Sequence, residues 1–257
     1  MSPTSEVEVA VLGPVEIRGA AHPFGRRAAT ALVVYLALHP RGATNEGWSA
    51  ALWPERSVAP STLHSTASVA RRALGRSSGG ADHLMRCQGR LRLGPAVGTD
   101  ADRFVAAAES SDPRRWKDAL ALVRGPLFDG LPLSDWTVLD GTAAELETLV
   151  VRTSLRGAEA ALRLGSADEA EWMLRRGLRV SPYDERLYRG LLRATEAQGN
   201  RLGLRSAMAE LLRLASGGDG DGDGGGDGAT IHPRTVALYR ELAHRAVPAA
   251  GGDLIRL

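Results

Sequence analysis

Two rhythms of apolar and polar positions divide the chain. From Glu8 to Arg18 (EVAVLGPVEIR) apolar residues partly alternate with polar ones, and Gly13-Pro14 interrupts them; this predicts two short strands joined by a turn. Gly25–Pro40 changes to a helical period. Ala29, Leu32, Val33, Leu36 and Ala37 share a face, and Pro40 ends the run. Thr44–Trp53 predicts a second helix with Thr44 as N-cap, Trp48, Ala51 and Leu52 apolar, and Pro54 as stop. Ser61–Gly75 predicts a third, with Leu63, Ala67, Ala70 and Leu74 as its buried stripe and Gly75 at its end. His83–Cys87 and Arg90–Leu93 then flank Gln88-Gly89 as a small hairpin. From Asp102 onward the pattern is helical throughout.

Strands, three helices and a hairpin, in that order, are the order of an OmpR-type winged helix-turn-helix, in which the second and third helices form the helix-turn-helix and the hairpin is the wing. In the second part, Gly165 and Gly199 lie 34 residues apart. The same shift superposes Ala160 on Ala194, Ala170 on Leu204, Leu174 on Met208 and Leu178 on Leu212. That is the tetratricopeptide (TPR) spacing, with each glycine expected in the turn within a helix pair and Pro182 near the start of the following helix. Residues 216–229 (SGGDGDGDGGGDGA) read as a flexible linker. Asp219, Asp221 and Asp223 alternate as in some calcium loops, but the bidentate Glu such a loop requires is missing. Pro233–Ala246 predicts a last helix that caps the repeats. The expected fold is therefore mainly α: an α+β winged helix-turn-helix over residues 6–98, then an all-α TPR-like domain over 99–246 with the linker inside it.

Composition adds two constraints. Net charge is +2, but residues 1–103 carry 12 Arg against 8 acidic residues, so the basic excess sits in the N-terminal part and points to an anionic partner there. One cysteine, Cys87, allows neither an intrachain disulfide nor a multi-cysteine zinc site. It reads as a half-buried strand residue in a cytoplasmic protein. No apolar run is long enough to span a bilayer, so no membrane contact is expected from this chain.

Enzyme chemistry finds little support. The only lysine, Lys117, follows no glycine-rich loop, which excludes a P-loop, and neither H-E-x-x-H nor C-x-x-C occurs. GRSSG at Gly75–Gly79 matches G-x-S-x-G, but a nucleophile elbow needs a strand before it and a helix after it. Here a helix precedes and a turn follows. Glu145 and Glu147 are two apart, which a helix turns to different faces. The six histidines are scattered. No catalytic residue, metal or cofactor is expected.

Several stretches resemble the SARP/AfsR group of actinobacterial regulators, which join an OmpR-like winged helix to a bacterial transcriptional activator domain. They are VLGPVEIRG at Val11–Gly19, ALVVYLALHPRG at Ala31–Gly42, AALWPE at Ala50–Glu55, STLHSTASVARRALG at Ser61–Gly75 and GRLRL at Gly89–Leu93. TDADRF at Thr99–Phe104, GPLFDGLPLSDW at Gly125–Trp136, the run Ser166–Asn200 and HPRTVALYREL at His232–Leu242 continue the likeness. The resemblance implies a transcriptional activator that binds double-stranded DNA at direct repeats as a side-by-side homodimer and contacts RNA polymerase.

The candidate contacts follow from helix geometry. With Leu63, Ala67, Ala70 and Leu74 inward, Thr62, Ser65, Ser68 and Arg72 face outward, and Arg71 lies beside them. Arg86, Arg90 and Arg92 lie on the wing, and Arg26 and Arg27 at the start of the first helix; all suit phosphate or groove contacts. Trp136, Trp172, Tyr183 and Tyr188 are candidates to line a partner-binding face of the repeats. The chain departs from the family where Arg90 replaces a wing tyrosine and where the third helix offers mostly hydroxyls. These departures keep open an alternative: a signalling adaptor or small-ligand sensor whose winged helix no longer binds DNA.

Overall fold

The computed structural model describes residues 6–131, 135–216 and 230–245, without the side chains of Asp135 and Leu139. The expected linker, with its aspartates, lies outside the described residues except for Ser216, which ends a helix. Packing divides the chain into two units that interleave in sequence: residues 1–110 with 121–149, and 111–120 with 150–257. This partition differs from a division at residue 98.

In the first unit, β1 (Val7–Ala10) is the centre of a three-stranded sheet. It pairs antiparallel with β2 (Glu16–Arg18), as the Gly13-Pro14 break predicted, and parallel with β5 (Val97–Thr99). Helix α1 (Arg27–Leu38) packs on it. Ala29, Leu32, Val33 and Leu36 are buried, but so are Ala31 and Val34, so α1 is more fully enclosed than a one-sided stripe. Helix α2 (Asn45–Leu52) starts at Thr44, whose Oγ1 accepts the Gly47 N–H at 3.1 Å, and buries Trp48 and Leu52. Helix α3 (Pro60–Leu74) buries Ala67, Ala70 and Leu74, together with Thr66 and Ala73, while Leu63 is half-buried against the core. Strands β3 (Leu84–Cys87) and β4 (Arg90–Leu93) form the hairpin; Gln88 (φ 50°) and Gly89 (φ 76°) supply the two left-handed residues a tight two-residue turn needs.

This core extends beyond residue 98. Helix α4 (Asp100–Ala108) is capped by Thr99, whose Oγ1 accepts the Asp102 N–H at 2.8 Å. Asp100 is buried and accepts the backbone N–H groups of Val11 and Leu12 at 2.7 and 3.1 Å, where the chain leaves β1. Burial raises its carboxyl above the ordinary value, against the two N–H bonds and the Arg124 charge, which lower it. Further along, Arg124 N–H donates to Leu12 O at 2.6 Å, Phe128 N–H to Val11 O at 2.9 Å and Val15 N–H to Asp129 O at 2.9 Å. Leu131, Leu146 and Trp136, from the short helix α6 (Asp135–Leu139), join the same core.

The second unit contains most of α5 (Pro113–Ala121), the second part of α7 (Thr142–Arg163), α8 (Ala167–Val180), α9 (Glu185–Ala197), α10 (Arg201–Ala215) and α11 (Pro233–Arg245). The 34-residue period is visible in the turns: Gly165 between α7 and α8 (φ 72°) and Gly199 between α9 and α10 (φ 68°) take the same left-handed conformation. Ala170 and Leu204 are buried alike, as are Leu174 and Met208, but Leu212 is exposed where Leu178 is buried. Small residues set the crossings. A Cβ on Gly177 would lie 2.9 Å from both Leu187 Cδ2 and Ser154 Oγ. Helix α11 packs on α9 and α10, and Thr235 is held by Glu185 at 2.5 Å and Arg189 at 2.9 Å.

Candidate nucleic-acid interface

Helices α2 and α3 are joined by seven residues, Trp53–Ala59, longer than the 3–4-residue turn of a minimal helix-turn-helix. On α3, Thr62, His64 and Arg72 are exposed, and Ser65 and Ser68 are half-buried. The face therefore lies where its period placed it. What periodicity does not reveal is which side chains already have partners. Arg71 does: its Nε donates to Leu84 O at 3.1 Å, fastening α3 to the wing. Arg90 donates through Nε and Nη2 to Gly42 O at 3.2 and 2.9 Å. Arg86 donates to Asn45 Oδ1 at 3.1 Å and to Gly89 O at 3.2 Å. The bonds of Arg71 and Arg90 to carbonyls, and of Arg86 to Asn45, hold the wing to α3, to the loop before α2 and to the α2 N-terminus. These bonds use one or two N–H groups of each arginine to fix the wing.

Arg27, Arg72 and Arg92 are exposed and make no ion pair or side-chain hydrogen bond among the described residues. Arg26, also exposed, donates to Ser65 Oγ at 2.5 Å. Arg26 is thereby set against the hydroxyl side of α3, which also carries Thr62, Ser68 and Arg72, whereas Arg92 of β4 lies beside Leu36, Ala37 and Pro40 at the end of α1. Neither α1 nor α3 carries an acidic residue in its first turn. Asn45, whose Oδ1 accepts from Arg86, is a wing contact that sequence reasoning missed; beside an N-cap threonine it reads as an ordinary helix start.

The four aromatic residues assigned to a partner face separate into two pairs. Trp136 is 4% exposed in the first unit's core, edge-on to Tyr35 at 5.0 Å, so it is a packing residue and not part of a repeat surface. Tyr188 is 1% exposed and its hydroxyl donates to Glu210 at 3.3 Å; burial, then Glu210, push it up to about 12. It too is a packing residue. Trp172 is half-buried beneath the Arg176 guanidinium, 4.9 Å from its ring centre, and Tyr183 is 69% exposed. Cys87, expected half-buried, is exposed beside the wing turn. Ser77, the middle residue of the G-x-S-x-G match, follows a helix and accepts the Ala81 N–H at 3.1 Å within a turn. No helix among the described residues is long and apolar enough to cross a membrane.

Residues 99–203 match the family model of the bacterial transcriptional activator domain. The transcriptional regulatory protein MoaR1 of Mycobacterium tuberculosis (strain ATCC 25618 / H37Rv) is 30% identical over 205 residues, which are 72% of this chain and 65% of that protein. MoaR1 of Mycobacterium bovis (strain BCG / Pasteur 1173P2) matches with the same identity and coverage. The chain thus spans 65% of the length of the curated relatives it matches. The family and these relatives are transcriptional regulators, not enzymes. Among solved structures, Mycobacterium tuberculosis EmbR in complex with a low affinity phosphopeptide superposes with a TM-score of 0.59 at 23% identity, over 93% of this chain and 65% of that one, a likeness of fold.

Proposed function

This chain belongs to the SARP-like transcriptional regulators that carry a bacterial transcriptional activator domain, and on that premise we propose that it activates transcription by binding double-stranded DNA through α2, α3 and the β3–β4 wing. The observation that carries this reading is the outward surface of α3. Thr62, Ser65, Ser68 and Arg72 stand there beside a wing that keeps Arg92 free, and no acidic residue occupies the first turn of α1 or α3. Short hydroxyls bond to phosphate as readily as to bases, and arginine supplies the charge that releases counterions. In this reading residues 6–98 bind DNA and 99–246 form the activator part. The protein is cytoplasmic, acts as a homodimer on direct repeats, and contacts RNA polymerase through the half-buried Trp172 and the exposed Tyr183 of the repeats.

An electrophoretic shift with genomic fragments at two salt concentrations tests it. The expected result is binding that weakens steeply as salt rises and favours fragments with direct repeats. The second reading, an adaptor that has lost DNA binding, draws on one observation: Arg71, Arg86 and Arg90 are engaged within the protein. Absence of any shift at low salt would establish that reading instead.

A further inference from the structure

Resting on the DNA-binding reading above, we propose that Arg26 and Ser65 form a composite clamp for one duplex phosphate, in which Ser65 positions Arg26 and does not read a base. The two residues are 39 positions apart, and only the packing of α1 against α3 brings them together. Arg26 is the N-cap residue of α1, with extended backbone (φ −139°, ψ 130°), and its side chain makes no capping bond. Instead Nη1 donates to Ser65 Oγ at 2.5 Å.

The nature of that partner matters. Ion pairs tie other arginines, the lysine and histidines to carboxylates, and among the described residues none involves Arg26. A neutral hydroxyl fixes the guanidinium without cancelling its charge. The other guanidinium N–H groups remain as donors. A serine oxygen that accepts from arginine still carries its own O–H, and that proton points away from the donor. Two donor groups on adjacent side chains, with one uncompensated positive charge, suit an oxygen-rich monoanion such as a phosphodiester. A free arginine side chain loses considerable rotamer freedom on binding, and the Ser65 contact removes part of that loss in advance.

Fluorescence anisotropy of the full chain with a labelled random-sequence duplex, titrated over a range of salt, provides the test. Arg26→Ala is expected to weaken binding about eightfold near 0.1 M salt and to lower the salt slope by about one, the effect of one phosphate contact. Ser65→Ala is expected to weaken binding about threefold in the wild type and clearly less in the Arg26→Ala background, because most of its contribution passes through Arg26. Ser65→Thr, which keeps the hydroxyl, restores most of the loss. Equal losses from Ser65→Ala in both backgrounds would overturn the clamp, as would a changed preference at one base pair across a panel of substituted duplexes. If the wild type binds no duplex at the lowest salt, the DNA-binding reading fails, and the clamp fails with it. Additivity or a base preference sinks the clamp alone.

Discussion

At the scale of single residues, Asp100 ties β1 to the start of α4. Its carboxylate satisfies two buried backbone donors, so Asp100→Ala leaves both N–H groups without a partner and is expected to cost about 2 kcal/mol or more in urea unfolding. The pH dependence has a definite sign. Burial raises the folded-state value above the ordinary 3.8, so the folded protein holds this proton more tightly than the unfolded chain. The group's contribution therefore falls as pH rises above that value. Asp100→Asn removes the titration, and its stability deficit relative to wild type should narrow as pH rises above the ordinary aspartate value; a deficit that widens would contradict this assignment. Nothing in the sequence marked Asp100. It follows an N-cap threonine, where an acidic residue is ordinary, and its partners are 88 and 89 positions away. The same limit applied to the arginines: a helical period tells which way Arg71 or Arg72 points but not which carbonyl waits there.

Elements were legible where their signals are local. The hairpin at Gln88-Gly89, the Thr44 cap, the end of α3 at Gly75 and the paired turns at Gly165 and Gly199 all rest on interactions within a few residues. Strand β5 is three residues with no alternation, and its ladder partner, β1, lies far away in sequence, so nothing local announced it. The wing depends on distant contacts too. Besides the Arg90 bonds, Ala43 and Leu91 exchange backbone hydrogen bonds at 2.8 Å in each direction, so the loop before α2 is bridged to the outer edge of β4 at one residue pair. Gly42 permits this approach: its φ is 71°, and a Cβ there would lie 2.4 Å from Leu91 O. In the repeats, Gly177→Ala should test how tightly the helices cross. The helix-propensity gain of about 1 kcal/mol is outweighed by overpacking of about 1–3 kcal/mol against Leu187 and Ser154. The melting temperature should fall, and an unchanged or higher value would show that α8 and α9 yield easily.

At the scale of the molecule, the sequence suggested two consecutive domains, whereas the packing units alternate along the chain. The reason is physical. Residues 121–131 bond to the β1–β2 connection through backbone groups, which carry no sequence signature, and Trp136 and Leu146 complete a core begun by Val7 and Val9. A fragment ending at residue 98 would lack Asp100, the bonds from Arg124 and Phe128, and those apolar side chains. It is expected to show a broad, low-temperature transition by circular dichroism, while the full chain unfolds cooperatively. A sharp, undiminished transition in the fragment would mean that residues 1–98 are self-sufficient.

The parallel pairing of β1 with β5 also bears on how the protein is made. Val7 leaves the ribosome roughly 90 residues before Val97, its ladder partner. At about 5–20 residues per second, one edge of the first strand stays bare for some 5–20 s of synthesis. During that interval β2 covers only the opposite edge, and a nascent chain with an open, valine-rich strand is exposed to chaperones and to neighbouring chains.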